Sequence, residues 1–402
     1  MRVATFPILL LTAVAVAAQS PKIRPKYKTI ESGLAYAHVT VTNFGITNIP
    51  WSIHIARMEQ SRRDLELVAT LAKGHIEGLS TVAEQAASLD PAKGRAIAAV
   101  NGDFFVIKAG PYQGDPQGLQ ICDGELVSGP TQASLWVENQ RLHMKQVQSR
   151  LEVRWPDGTS TPMGLNESPT GKVAVLFTPS FGASTRATNF FELALGPDGD
   201  KPWLPLRANR HYRARVLSWN IAGNSPLRAD EMILTLSKNF TNHLSSASPG
   251  AVVEISTALS EDIGDATAAI GGWPLLVSAG KVQTRESNAR KNSYLVPRHP
   301  RTAVGFNRRY LFLLEVDGRQ PDLSTGMNLE ELASVMKQLG CTDAMNLDGG
   351  GSATFWLEGK VMNSPSDKHE RTVANALVIV RKGKTPNSNR KAPKLESPKW
   401  LS

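Results

Sequence analysis

The residues best able to do chemistry lie in the last third of the chain. Asp317 ends the strand-like run Tyr310–Val316 and is followed by Gly318 and Arg319. Asp348 ends the short apolar step Met345-Asn346-Leu347 and is followed by Gly349, Gly350, Gly351 and Ser352. Each carboxylate therefore sits where a strand gives way to backbone without side chains, so that N–H groups can approach an anionic or sugar ligand closely. Arg301-Thr302 precede this pair and Arg371 follows it. Two carboxylates, arginines that can grip an anion with two prongs, and a glycine-rich loop suit glycosyl chemistry on a phosphorylated substrate. Alone, Asp-Gly-Gly-Gly-Ser would read as a turn. Its neighbours raise it to a candidate site.

Other familiar sites can be struck out. The chain has no GxSxG elbow, no GxxxxGK[ST] phosphate loop and no GxGxxG. His369-Glu370 opens like a zinc-binding HExxH, but Val373 stands where the second histidine is needed. His38 and His54 lie inside strand patterns and read as structural residues. Two cysteines, Cys122 and Cys341, support one bridge at most.

The elements that must position these residues are mainly strands. Alternating or β-branched runs occur at Ala35–Val41, Trp51–Ala56, Ala96–Val100, Ser134–Val137, Val173–Phe177 and Tyr212–Trp219. Val252–Ile255, Tyr310–Val316, Trp356-Leu357 and Ala376–Val380 complete the set. Helical patterns are confined to Thr81–Ser88 and to Asn328–Leu339, where apolar residues recur at helical spacing behind Glu330 and Glu331 and stop at Gly340. Strands outnumber helices without alternating regularly with them. The expected class is α+β: strand-rich mixed or antiparallel sheets with a few helices in one large domain.

The composition, 41% hydrophobic and 20% charged over 402 residues, excludes a disordered chain. Arg2, the apolar run Phe6–Ala18 and the small residues Ala15-Val16-Ala17-Ala18 read as a signal peptide cleaved near Ala17 or Ala18, since a spanning helix needs about 20 apolar residues. A secreted or periplasmic protein without stable membrane insertion is expected. The net charge of +9 is concentrated after residue 380, in Arg381, Lys382, Lys384, Arg390, Lys391, Lys394 and Lys399, interspersed with prolines. That is the chemistry of a solvated tail. The nearly neutral body and the export signal argue against a nucleic-acid partner. The expected organisation is a signal peptide at 1–18, a leader and N-terminal β-rich segment at 19–94, a main domain at 95–381 and a basic flexible tail at 382–402.

The stretch Arg301–Val380 resembles the phosphodiester glycosidase family, which includes bacterial relatives connected with exopolysaccharide biosynthesis. The resemblance is carried by Arg301-Thr302-Ala303, Asp317-Gly318-Arg319, Ser324, Gly326-Met327 and, above all, Asn346-Leu347-Asp348-Gly349-Gly350-Gly351-Ser352. Asn363, Pro365, Ser366-Asp367, Arg371 and Asn375 continue it. Asn101-Gly102-Asp103-Phe104-Phe105 and Ile270-Gly271-Gly272-Trp273-Pro274 extend it upstream, to about residue 95. Two departures stand out: Trp273 where glycine is commoner, and Ala353 where a second serine is usual.

The resemblance implies an exported hydrolase that cleaves a sugar-1-phosphodiester at the anomeric C–O bond, in an N-acetylglucosamine-type or envelope polysaccharide substrate. Asp348 or Asp317 would act at the anomeric centre. Arg301, Thr302, Arg319, Arg371, Ser352 and the Gly349–Gly351 amides would hold phosphate and sugar oxygens. Asn101, Asp103 and Asn346 would position sugar hydroxyls or a cation, for which Ca2+ or Mg2+ suits the oxygen ligands better than zinc; no spacing fixes a metal. The alternatives are a non-catalytic polysaccharide-binding protein and a metal-dependent phosphodiesterase. The tail has no periodic apolar face to bury, so deleting 384–402 is expected to leave the melting temperature unchanged. A fall of several degrees in a thermal scan would show that it docks.

Overall fold

Period-two alternation buries one side chain in two, and here it builds four sheets. The computed structural model describes residues 21–42, 50–199, 203–238, 240, 246–283 and 297–383. The expected signal peptide and all but the first two residues of the expected tail lie outside them. Among the described residues no helix is long and apolar enough to cross a membrane.

The first sheet has eight strands in the order Lys28–Glu31, Leu34–Val41, Trp51–Glu59, Tyr310–Val316, Arg301–Phe306, Asp343–Asn346, Leu275–Ser278 and Lys281–Val282. The second has five, running Lys360–Val361, Phe355–Leu357, Arg95–Asn101, Asn375–Arg381 and Leu65–Leu71. A third, five-stranded sheet carries Ala266–Gly272 at its centre, and an eight-stranded fourth sheet spans the middle of the chain. Strand pairing is antiparallel except where Gly164–Leu165 runs parallel to Ala174–Phe177. The strand-rich reading therefore holds, although the balance is more β than α+β suggests. The N-terminal segment is woven into the sheets: Trp51–Glu59 pairs with Tyr310–Val316, and Leu65–Leu71 with Asn375–Arg381.

Leu34, Ala56, Met58, Leu67, Ile97, Val100, Leu313 and Leu377 meet in a core shared by the first and second sheets. On its other face the first sheet packs Ile53, Ile55, Phe312 and Leu314 against the helix Leu329–Gln338. That helix begins at Asn328, whose side chain accepts the Glu331 N–H at 2.9 Å while the Glu331 carboxylate takes the Asn328 N–H at 2.9 Å. Val82–Ala87 is capped the same way by Thr81 and Glu84 and covers the outer side of the second sheet.

One change of pattern matters most for function. On the inner face of the first sheet the apolar series Leu311, Leu313 continues as Glu315 and Asp317, and Met58, Ala56 continues as His54 and Ser52. Cross-strand register sets His54 opposite Glu315, and Thr302 opposite Glu315 on the other side. The same end of the sandwich receives Asn101, Asn346 and Asn375, each terminating a strand. One end of an otherwise apolar core is thus polar and buried.

The first cations expected in the tail belong to this body. Arg381 ends its strand in ion pairs with Glu31 and Asp64, and Lys382 pairs with Glu66 at 2.7 Å. Replacing the helix cap, Asn328→Ala, is expected to cost about 1 kcal/mol, measured as a lowered urea midpoint. An unchanged midpoint would mean that packing alone sets the helix start.

Candidate active site

Asn101 is fully buried and joins three segments of chain. The Thr302 hydroxyl donates to its Oδ1 at 2.6 Å, and the Thr354 N–H donates to the same oxygen at 3.1 Å. Its Nδ2 donates to the Asp348 carbonyl at 2.8 Å, and the Asp348 N–H returns to the Gly102 carbonyl at 3.0 Å. The loop that carries Asp348 is thus pinned on both sides of its α-carbon. Asn346 extends the frame by donating from Nδ2 to the Trp273 carbonyl at 2.7 Å, while the Trp273 N–H donates to the Asn346 carbonyl at 2.9 Å. Trp273 itself packs against the core under the Leu329–Gln338 helix.

The glycine run is explained by what lies on it. Gly350 has φ +61, and a Cβ there would stand 3.0 Å from Arg319 Nη2. A Cβ on Gly351 would overlap Arg371 Nη2 and Asp367 Oδ2. Two guanidinium groups therefore lie directly over backbone free of side chains. Arg371 is half-buried and held by Asp367, with Nε donating to Oδ2 at 2.9 Å. Arg319 is exposed, its Nη2 3.5 Å from His299 Nδ1. The amides serve the loop instead: the Gly349 N–H donates to Asp348 Oδ1 at 2.8 Å and the Gly350 N–H to the Pro300 carbonyl at 2.9 Å. Of the three amides expected from sequence, those of Gly349 and Gly350 are thus occupied within the protein.

Burial pushes the Asp348 carboxyl up to about 6, against the pull of Ser352, the Gly349 N–H and Arg371. Burial likewise pushes Asp103 up to about 7, opposed by the Phe104 N–H and reinforced by the negative charge of Asp348. Asp103 Oδ1 accepts the Phe104 N–H at 2.7 Å, whereas Oδ2 is buried with no hydrogen-bond partner. Its surroundings are tight: a Cβ on Gly118 would lie 2.6 Å from Oδ2, and one on Gly271 would overlap it. The result is two buried carboxyls, both held above the ordinary carboxylate range by loss of water, a condition that suits acid–base chemistry near neutrality.

The carboxyl that feels the charge of Asp348 is Asp103, which the sequence suggested for positioning. Asp317 is 1% exposed and accepts the Ser52 hydroxyl at 2.7 Å and the Ser364 N–H at 2.6 Å, with His54 Nε2 at 3.4 Å. This cluster includes Glu315, a residue the sequence gave no reason to select, because only strand register reveals that it faces His54. Arg301 is fully buried and donates to the carbonyls of Met327 and Pro297, at 2.9 and 3.2 Å. Ser352 is buried beside Asp348. Cys122 and Cys341 are both free thiols. A separate cavity of about 990 Å3 is lined among others by Asp115, Gln117, Gln132, Arg150 and Lys172.

Residues 222–380 match the phosphodiester glycosidase family, so the resemblance read from the motifs holds. The N-acetylglucosamine-1-phosphodiester alpha-N-acetylglucosaminidase of Bos taurus is 37% identical over 109 residues, covering 24% of this chain and 20% of that enzyme. An SPbeta prophage-derived uncharacterized protein of Bacillus subtilis is 37% identical over 112 residues, 28% of this chain and 17% of its own. The chain thus spans a fifth or less of the length of these curated relatives. A hypothetical protein from Synechocystis shares the fold with a TM-score of 0.71 at 18% identity, covering 89% of this chain and 64% of that one. A protein of Burkholderia pseudomallei does so at 0.62 and 24%, covering 84% and 75%.

The raised carboxyls carry a pH signature. A carboxyl whose pKa is higher in the fold than in the unfolded chain favours the fold while protonated, and that contribution is lost as pH rises through its folded pKa. For Asp103 the loss is complete above about 7. In the Asp103→Asn variant the urea midpoints at pH about 5 and about 8 should lie closer together than in the wild type. An unchanged gap would show that Asp103 titrates as an ordinary carboxyl.

Proposed function

We propose that the chain is a hydrolase that cleaves a sugar-1-phosphodiester at the anomeric C–O bond. The observation that carries this reading is the buried Asp103–Asp348 pair, both carboxyls raised in proton affinity, beside a glycine loop overlain by Arg319 and Arg371. A site that only bound a polysaccharide would gain nothing from two carboxyls held buried against their preference for water.

In this reading Asp348 acts on the anomeric carbon, either directly as nucleophile or as base toward water. Arg319 and Arg371 hold the phosphoryl oxygens of the leaving group and balance its charge as the C–O bond breaks. A phosphomonoester leaves readily, so a proton donor near neutrality such as Asp103 is sufficient where an ordinary glycoside needs a stronger acid. Asn101 and Thr302 keep the Asp348 loop in place, and Asn346, whose buried Oδ1 has no partner, accepts a sugar hydroxyl. Asp317 acts at one remove, by anchoring the turn that carries Arg319.

The substrate class we infer is an N-acetylglucosamine-type or related sugar-1-phosphate linkage in an envelope polysaccharide, met outside the cytoplasm after removal of the 1–18 segment. The match to the phosphodiester glycosidase family and the name of the bovine relative support the linkage.

Asp348→Asn keeps the size of the side chain and the ability to accept the Gly349 N–H. Turnover of a chromogenic sugar-1-phosphodiester should fall at least about a hundredfold with the melting temperature nearly unchanged. Near-wild-type turnover would remove Asp348 from the mechanism. Hydrolysis in 18O-labelled water should place the label on the sugar, and label in phosphate would establish phosphorus–oxygen cleavage instead.

A further inference from the structure

The cluster around Asp317 has a chemistry that the hydrolytic reading does not use. His54, Glu315 and Asp317 are 3%, 0% and 1% exposed, and each presents a ligand atom within 4.8 Å of the other two. The sheet itself enforces this meeting. His54 is the cross-strand partner of Glu315, and Asp317 follows two positions along the same face.

We propose that these three residues hold a divalent first-row metal ion, Mn2+ or Zn2+, which braces the floor of the candidate active site. Glu315 Oε2 is buried without a hydrogen-bond partner, and Oε1 has only the Asn363 Nδ2 at 3.2 Å. A second buried carboxyl lies two residues away, so ionising both in this dry interior calls for a cation between them. Among the described contacts to the three residues there is no lysine or arginine. The facing groups are the His38 ring stacked on His54 at 4.4 Å, the Tyr36 hydroxyl, the Ser52 hydroxyl, the Ser364 N–H and the Asn363 amide.

The imidazole is oriented as a metal ligand would be. Its Nδ1 is tied to the Tyr36 hydroxyl at 2.7 Å, which leaves Nε2 pointing at Asp317 Oδ2, 3.4 Å away. Two ligand atoms about 2.0–2.1 Å from a tetrahedral ion are separated by about 3.4 Å. One imidazole with two carboxylates suits zinc or manganese better than Ca2+ or Mg2+, which favour oxygen-only sites. The position also gives the ion a task. Asp317 Oδ1 accepts the Ser364 N–H, at the start of the loop bearing Asp367 and Arg371, and its own chain continues directly into Arg319. An ion here would fix the bases of both arginine-bearing loops.

The test uses the full chain, unfolded in guanidinium with chelator and refolded with Zn2+, with Mn2+ or with neither. Expected are about one ion per chain retained through gel filtration and a higher melting temperature in the metal-refolded protein. Both effects should disappear in Glu315→Gln and in His54→Gln and persist in Asp103→Asn. Absence of stoichiometric metal in the wild type, with equal melting temperatures, would overturn the proposal and assign the cluster to bound protons. Loss of the ion in Asp103→Asn, with retention in Glu315→Gln, would place it at the candidate active site instead and equally overturn the proposal. Because metal content and melting are read without substrate, these outcomes stay separate from the fate of the hydrolytic reading.

Discussion

A single buried carboxamide holds the working end of this molecule together. Asn101 belongs to the second sheet, accepts from Thr302 of the first and from Thr354, and donates to the main chain of Asp348. Each of these groups would otherwise be a polar atom in an apolar core, at a cost of roughly 1–3 kcal/mol apiece. The sheets can close over their polar end only if that amide is in place, and the catalytic loop is fixed by the same bonds that permit closure. Stability and geometry are here one requirement.

Around that amide the sequence resolves opposing demands by omitting side chains. Gly118 and Gly271 press on Asp103, and Gly350 and Gly351 lie under Arg319 and Arg371. Close approach on one side raises the proton affinity of a carboxyl by stripping its water, and on the other it brings cations against bare backbone. Proximity does the chemistry in both places, and glycine makes it possible.

What could be read from the sequence was whatever depends on neighbours in the chain. Tyr310–Val316 and Trp51–Ala56 announced themselves by alternation, and Asn328–Leu339 by helical spacing with its cap and glycine stop. Asp348 and its glycines were visible because the loop is contiguous. Asp103 was legible only as a positioning residue after Asn101-Gly102, since its raised proton affinity comes from burial by segments distant in sequence and from the charge of Asp348. Glu315 was hidden inside an apolar strand. It becomes meaningful only when register places it opposite His54, some 260 positions earlier. The extent of the β structure was underestimated for a similar reason. Short strands such as Gln120–Cys122 and Glu125–Ser128 carry too little pattern to stand out and are defined by the partners that receive them.

The interleaving of early and late strands governs how this chain can come into being. Trp51–Glu59 has one neighbour from the C-terminal third, and Leu65–Leu71 finds its partner in Asn375–Arg381. During synthesis the first strands emerge hundreds of residues before the partners that cover their edges. Lys28–Glu31, Leu34–Val41 and Trp51–Glu59 can pair with one another as they emerge, but the far edge of Trp51–Glu59 and the strand Leu65–Leu71 wait for partners made near the end of translation, a topology that folds late and exposes strand edges on the way. The same interleaving makes the family-matching segment inseparable from the residues before it. Excised at residue 222, it would lack Trp51–Glu59, Leu65–Leu71 and Arg95–Asn101, and with them one side of both sheets.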